Sequence, residues 1–425
     1  KAYSPLVWDE GKFVYHADSL GNQIPDFSYA GYKGGNEAIP TGQIAVVVPV
    51  KSGDATQRIQ AAINYVSMLP LGKDGLRGVV LLQAGVYSVS GSLKISASGV
   101  ILRGSGFTTN GTVIIGEGTT RETLIRILGK DDITFAKKTN VTSAYVPVNA
   151  RVLDIDHAAS YKAGDKIRIT RPSTQDWINQ LGTDHFGGGI TSLGWKPGQR
   201  DVTWDRTIVA VKGNGIEIDA PITTALDRRY GQATVEQYNW KGRIENVGIE
   251  NITLKSAFDA NNPKDEDHRW MAITIENAEN VWVRRMQFQH FAGSAVYALA
   301  STQKLTVEDC ISRDPVSEIG GQRRYTFFTK GQQTLFQRLY SEQGYHDFAV
   351  GYLAAGPNAF VQCQAVEPFS FSGGIDSWAS GVLFDNADID AQALSYKNRG
   401  QDGQGAGWSA ANSVFWQSTA GLVEC

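Results

Sequence analysis

Apolar positions in this chain recur in short period-two runs, not at helical spacing. Seven such runs follow one another toward the C-terminus: ENVGIENITL (245–254), ENVWVRRMQF (279–288), QKLTVEDCIS (303–312), QTLFQRLYSE (333–342), NAFVQCQAVE (358–367), GVLFDNADID (381–390) and NSVFWQSTAG (412–421). Their starts lie about 20–35 residues apart, the spacing of coils in a solenoid. Alternate residues in these runs are apolar (Val281 and Val283; Leu305 and Val307), which places them on one face of a strand, and Phe360 and Cys363 are expected inward with them. A lone strand cannot bury that face, but a stack of parallel coils can. A β-propeller would need four strands per repeat at a steadier period. The pattern therefore predicts a solenoid in which residues one coil apart become neighbours.

The N-terminal half reads differently. Residues 1–50 are irregular and aromatic, with DFSYAGYKGG (26–35) as a Gly-punctuated loop. A helix is predicted next, with Asp54 as its cap, Gln57 completing a capping box, Ile59, Ile63 and Val66 on one face, and Pro70 as its stop. Short β-branched runs broken by Gly follow in GVVLLQAGVYSVSGSLKISASGVILRGSG (78–106). Residues 131–243 fit coils poorly. There, VLDIDHAASYKAGDKIRITRP and DVTWDRTIVAVKGNGIEIDAPI predict antiparallel hairpins turning at Gly164-Asp165 and Gly213-Asn214-Gly215. Trp177, Trp195 and Trp204 either pack the core of this β-rich insertion or stand on its loops for sugar stacking. Four segments result: 1–50 irregular, 51–130 cap and first coils, 131–243 insertion, and 244–425 main coils.

The order D-A-T-x-x-I-Q-x-A-I, G-V-V-L-L-x-A-G-V-Y, L-K-I and G-V-I-L-R-G-S-G resembles the N-terminal cap and first coils of the pectate-lyase-like β-helix superfamily. The likeness covers residues 52–106 closely and 244–421 more loosely. It implies an all-β fold, a right-handed parallel β-helix whose open end is covered by a helix, since bare strand edges would pair with other chains. It also implies an exported protein acting on polysaccharide. The pectin-hydrolysing branch carries N-T-D, a D-D pair, G-H-G and R-I-K, and the pectate lyase branch W-x-D-H and R-x-P-x-x-R. This chain lacks both sets, Asp131-Asp132 standing without companions, so the resemblance carries over no catalytic residue.

Composition narrows the partners. With 40 Lys+Arg against 43 Asp+Glu, the net charge of -3 gives no nucleic-acid footprint. No apolar run approaches a membrane span. A start at Lys1 suits a removed leader and a secreted or periplasmic location, and a strand-like end at Cys425 suits a fragment of a longer protein. Cys310 and Cys363 lie in apolar runs and read as buried free thiols. Loop Asp and Asn are numerous enough for Ca²⁺, as in several lyases of this fold, yet no cluster has diagnostic spacing.

Candidate chemistry concentrates in residues 317–352, where Arg323, Arg324, Lys330 and Arg338 follow one another without an intervening acid and Glu342, His346 and Asp347 come next. A local basic run in a slightly acidic protein suits an anionic polymer. β-Elimination from a uronic acid needs a cation on the carboxylate and a base for the adjacent C–H. Arg323 or Arg324 would clamp the carboxylate, His346 or Tyr325 would be the base, and Tyr325 or water the acid. Glu342 and Asp347 complete this catalytic set, with His268, His290, Lys330, Asp376, Trp378, Asp385, Arg399 and Trp408 lining the substrate groove. The competing readings are a glycosidase using two of Glu342, Asp347, Asp376 and Asp385, and a non-catalytic carbohydrate-binding or spike-like solenoid. Each of these charged residues has a structural alternative, as one rung of a surface ion-pair ladder or as an acceptor of turn amides.

Overall fold

The computed structural model describes residues 4–108 and 110–425. Twenty-two strands join in parallel into one sheet that winds into a right-handed β-helix. Its interior follows from the alternation in the sequence. Val46, Val80, Leu102, Ile249, Val283, Val307, Phe336, Phe360, Phe384 and Phe415 occupy one register position on ten successive coils. At about 4.8 Å per coil this inward column runs about 43 Å. Phe336, Phe360 and Phe384 stack face to face at 4.9 and 4.6 Å. A second column, Ile252, Met286, Cys310, Leu339 and Cys363, runs beside it, and both thiols are free and buried.

The long strands Ile244–Ser256, Ala278–Gln289 and Thr302–Arg313 are each bent rather than straight. Asn246, Asn280 and Lys304 adopt positive φ at one equivalent position, and Asn251, Arg285 and Asp309 at another. Asn tolerates this conformation best, which explains the Asn-led segments. Lys and Arg accept it elsewhere because the stacked ladder dictates the bend.

The predicted helix forms over Thr56–Met68 and lies on the first coils, burying Ile59, Ile63 and Val66. Each such side chain contributes about 1.5–3 kcal/mol. Its capping differs from expectation. Ala55 is the N-cap residue, and Asp54 sits one position earlier, accepting from Thr56 N at 3.0 Å, Thr56 Oγ1 at 2.6 Å and Ser90 Oγ at 2.7 Å. Asp54 thus ties the helix to the second coil. The N-terminal stretch runs along the column: Phe13 meets Trp416 edge-on at 5.5 Å, Tyr32 N donates to Thr306 at 2.8 Å, and Ile44–Val48 pairs with Gly78–Leu82.

Between the early and main coils, seven strands form an antiparallel sheet, six in the order Thr134–Phe135, Thr234–Asn239, Lys166–Arg171, Val202–Lys212, Gly215–Ile218, Val152–Asp154, with Thr139–Asn140 also paired to Thr234–Asn239. Gly213-Asn214 does turn a hairpin. Gly164-Asp165 does not: Val152–Asp154 pairs with Gly215–Ile218, and Lys166–Arg171 pairs with its two other neighbours. Trp177, Trp195 and Trp204 are all buried, so packing claims them. The sheet is locked to the coils by Arg206, fully buried, whose guanidinium donates to the carbonyls of Ala220, Pro221 and Gly356 at 2.7–2.9 Å and to Gln332 at 3.3 Å.

Candidate functional site

The short strands of each coil form the face that carries the site: Leu93–Ile95, Ile125–Leu128, Ile273–Glu276, Val296–Ala298, Tyr325–Thr329, His346–Val350 and Ser372–Gly374. In register along this face run Lys94, Arg126, Thr274, Tyr297, Phe328, Ala349 and Gly373. Tyr297 and Phe328 stack at 4.7 Å with ring planes 2° apart. Phe328, Ala349 and Ile375 cluster with Tyr297, Tyr325 and Phe371 into an apolar floor. Above it lies a cleft of about 750 Å³ lined also by Arg200, Lys330, Tyr345, His346, Tyr352, Asp376 and Arg399. That size and mixture suit a bound sugar chain. A smaller hollow of about 330 Å³, lined by Lys94, Glu122, Arg126 and Glu276, shares Met271 and Tyr297 with the cleft, so one trough continues toward the first coils.

The charges are unusual in what they lack. Lys330 lies 5.5 Å over the Phe328 ring and 6.0 Å over Tyr297. Arg399 donates to the Ile375 carbonyl and lies 5.3 Å over Phe371. Arg200 donates to Ser377 Oγ at 3.2 Å and Tyr352 OH at 3.1 Å. Among the described residues none of the three is ion-paired, whereas nineteen pairs of a Lys or Arg with a carboxylate occur elsewhere. Asp376 is the single carboxylate in the lining; burial raises its pKa and the nearby Lys330, Arg399 and Arg200 lower it, burial winning.

His346 is almost fully buried at the cleft wall, and burial pulls its pKa down to about 4. Its Nδ1 lies 2.6 Å from the Phe371 carbonyl, which can only accept, so Nδ1 carries the proton and Nε2 a lone pair. The Tyr325 ring sits 4.9 Å away, its OH donating to Gly321 O at 2.5 Å, and burial raises its pKa. One wall thus carries an imidazole nitrogen able to accept a proton and a neighbouring phenol able to donate one.

Five of the sequence-derived candidates therefore line the cleft: His346, Tyr325, Lys330, Asp376 and Arg399. The others lie elsewhere, for physical reasons. Arg323 is ion-paired with Glu266, Nη2 to Oε2 being 3.0 Å. Arg324 does neighbour His346 across coils, its carbonyl accepting from His346 N at 3.1 Å, but its side chain is buried against Ser317 and the Gln343 carbonyl. Asp347 is fully buried behind the wall, accepting from Ser341, from Gly344 N at 3.1 Å and from Thr326 at 3.4 Å, while its Oδ2 has no partner. Burial raises its pKa to about 6.

Glu342 accepts from Tyr340 OH at 2.8 Å and pairs with Arg313 at 3.3 Å, outside the cleft. Asp385 lies on the long-strand side of the coils, in register between Val361 and Trp416. His268 is fully buried, bonded to Ser256 Oγ at 2.9 Å and the Val316 carbonyl at 3.0 Å, and His290 packs on Phe258 at 4.8 Å. Trp378 packs edge-on against Trp177 at 4.8 Å, and Trp408 Nε1 donates to Leu181 O at 3.2 Å, so both are docked to the insertion. Tyr297 and Phe328 were missed, though two outward aromatics one coil apart are a legible signal. Arg200 offered none, because it reaches the cleft from the insertion.

No three His, Cys, Asp or Glu side chains converge on a metal site among the described residues, so no ligands are assigned to Ca²⁺. No helix there is long and apolar enough to cross a membrane.

No family model and no curated protein matches the sequence. Solved structures share its fold. The tailspike protein gp49 from Pseudomonas phage LKA1 is 12% identical over 85% of this chain and 56% of its own, with a TM-score of 0.45. A pectin methylesterase solved with a hexasaccharide is 10% identical, over 90% and 91% of the two chains, with a TM-score of 0.40. A polygalacturonase from Erwinia carotovora is 13% identical, over 92% and 82%, with a TM-score of 0.34. The chain thus spans little more than half of the tailspike. These likenesses concern architecture; the chemistry has to come from the cleft.

Proposed function

We propose that this chain is an exported polysaccharide-acting enzyme that cleaves a uronic-acid-containing polymer by β-elimination in the cleft described above. One observation carries the reading: three cations without carboxylate partners surround an aromatic floor that holds a single acid. Cations left unpaired keep their full charge for a ligand, and the rings supply flat apolar surface for sugar faces. Lys330 and Arg399 take the sugar carboxylate, so that charge can build on it as the adjacent C–H is broken. His346 Nε2 accepts that proton. The electron pair forms a C=C bond, the glycosidic C–O bond breaks, and the leaving oxygen takes a proton from Tyr325 or from water. Arg323 and Arg324, engaged elsewhere, have no part in this scheme.

A two-carboxylate hydrolase finds less support here, since Asp376 has no second acid beside it in the lining. A non-catalytic carbohydrate binder would use the same floor and cations without turnover. Incubation with a panel of acidic polysaccharides separates the three. The expected result is a product absorbing in the ultraviolet, from an unsaturated uronate. New reducing ends without that absorbance would replace elimination by hydrolysis, and binding with no product at all would leave only the binder.

A further inference from the structure

We propose that Arg200, delivered by the insertion, is a specificity-determining residue that takes the carboxylate of a sugar unit adjoining the reacting one; this rests on the acidic-polymer reading above. Arg200 is the insertion's contribution to the lining, and everything holding it is neutral. Nε donates to Ser377 Oγ and Nη1 to Tyr352 OH, while Tyr352 OH in turn donates to Gln199 O at 2.9 Å. The guanidinium lies over the rings of Trp195 and Tyr352, at 5.4 and 5.0 Å. Asp201, the adjacent acid in sequence, is spent on Ser173, accepting from its N at 2.7 Å and its Oγ at 2.8 Å. Among the described residues no hydrogen-bond partner is recorded for Nη2, so its two N–H donors remain available, and Asp376, the acid of the lining, acts on the guanidinium only through space.

Position supports a role away from the reacting centre. Tyr352 and Ser377 follow the far ends of the strands His346–Val350 and Ser372–Gly374, whereas His346 begins its strand. Arg200 thus stands across the floor from the acid–base wall. Its placement is rigid: Arg200 N donates to Ser173 Oγ at 3.0 Å, Trp195 Nε1 to Gly405 O at 2.9 Å, and buried Arg206 locks the same sheet to the coils. A fixed cation costs little ordering when the polymer arrives, which is where pre-organisation adds affinity.

The test compares Arg200→Gln and Arg200→Lys with the parent chain on whichever acidic polysaccharide the parent cleaves, at several salt concentrations. The glutamine variant is expected to raise KM about 10- to 100-fold with kcat nearly unchanged, and to flatten the rise of KM with salt. Lysine should restore the salt dependence and part of the affinity. A glutamine variant with the parent's KM and salt slope overturns the assignment while leaving the proposed reaction intact. So does one that melts lower and loses kcat with an unchanged salt slope, since that is a structural role. A parent chain that neither cleaves nor binds any acidic polymer fails the functional reading itself, and this inference with it.

Discussion

Two outer faces of the same coils treat charge in opposite ways. On the long-strand side, Glu250, Arg284, Glu308 and Gln337 stack in register. There Glu250, fully buried, accepts from Arg103 at 2.5 Å, Arg284 at 2.6 Å and Trp282 Nε1 at 3.1 Å, and Arg338 is held by Asp309 at 2.6 Å and Glu308 at 3.2 Å. On the short-strand side Lys330, Arg399 and Arg200 touch rings, hydroxyls and carbonyls, and Asp376 acts on them only through space. The long-strand ladder pairs its charges, and the short-strand face pairs Arg126 with Glu276 at 3.5 Å but leaves the three cations of the cleft outside any ion pair. Charge density along the chain does not distinguish the two; pairing in space does.

That contrast can be broken or sharpened at four points. His346→Gln should cost about 10²- to 10⁴-fold in kcat on the cleaved polymer, the range for one acid–base group. A variant with parental kcat would take the base off this wall. On the paired face, Glu250→Ala should leave two desolvated arginines unpaired and destabilise the chain by about 3–5 kcal/mol. Denaturant unfolding reads this directly, and a loss under 1 kcal/mol would mean that water already satisfies those arginines.

The third point is the pH dependence of stability. Asp347, raised to about 6, binds its proton more tightly when folded, so its contribution is full below its ordinary carboxylate pKa and fades as pH rises through 6. His346, lowered to about 4, resists the proton when folded, so its contribution is full above its ordinary value and is lost as pH falls through 4. The two slopes oppose each other in one window. Asp347→Asn should therefore lose Tm more steeply than the parent on acidification from about pH 6 to 4, and His346→Gln less steeply; parallel curves would contradict both assignments. The smallest effect belongs to Arg338→Ala. Its half-exposed pair is worth about 0–1 kcal/mol, and activity should not change. A marked loss of activity would move the site toward the long-strand face.

The coils were readable because alternation survives translation into space: a period-two apolar run has one buried face wherever it is placed. Val281, Val283, Leu305 and Val307 point inward as the pattern requires, whereas Phe360 and Cys363, three positions apart, share the interior only because the strand bends at Gln362, where φ is positive. Hairpin pairing in the insertion was less readable, since Val152–Asp154 pairs with Gly215–Ile218, with Asp154 and Gly215 61 positions apart, and not with its neighbour in sequence. Turn residues specify a reversal, not which strand lies beside which. Among the residues that line the cleft, Tyr325, Lys330, His346, Asp376 and Arg399 are candidates that residue type and coil spacing had already singled out. Arg323, Arg324 and Asp347 share their neighbourhood in sequence yet face other partners.

The sequence by itself determined the column, the capping helix and the stretch from which most of the cleft is built, because those depend on periodicity and local chemistry. Only the tertiary structure decided which cations stay unpaired and that an arginine from the insertion joins them. An ion pair is a matter of a few ångströms between residues such as Arg323 and Glu266, 57 positions apart, and nothing in a linear pattern encodes that distance.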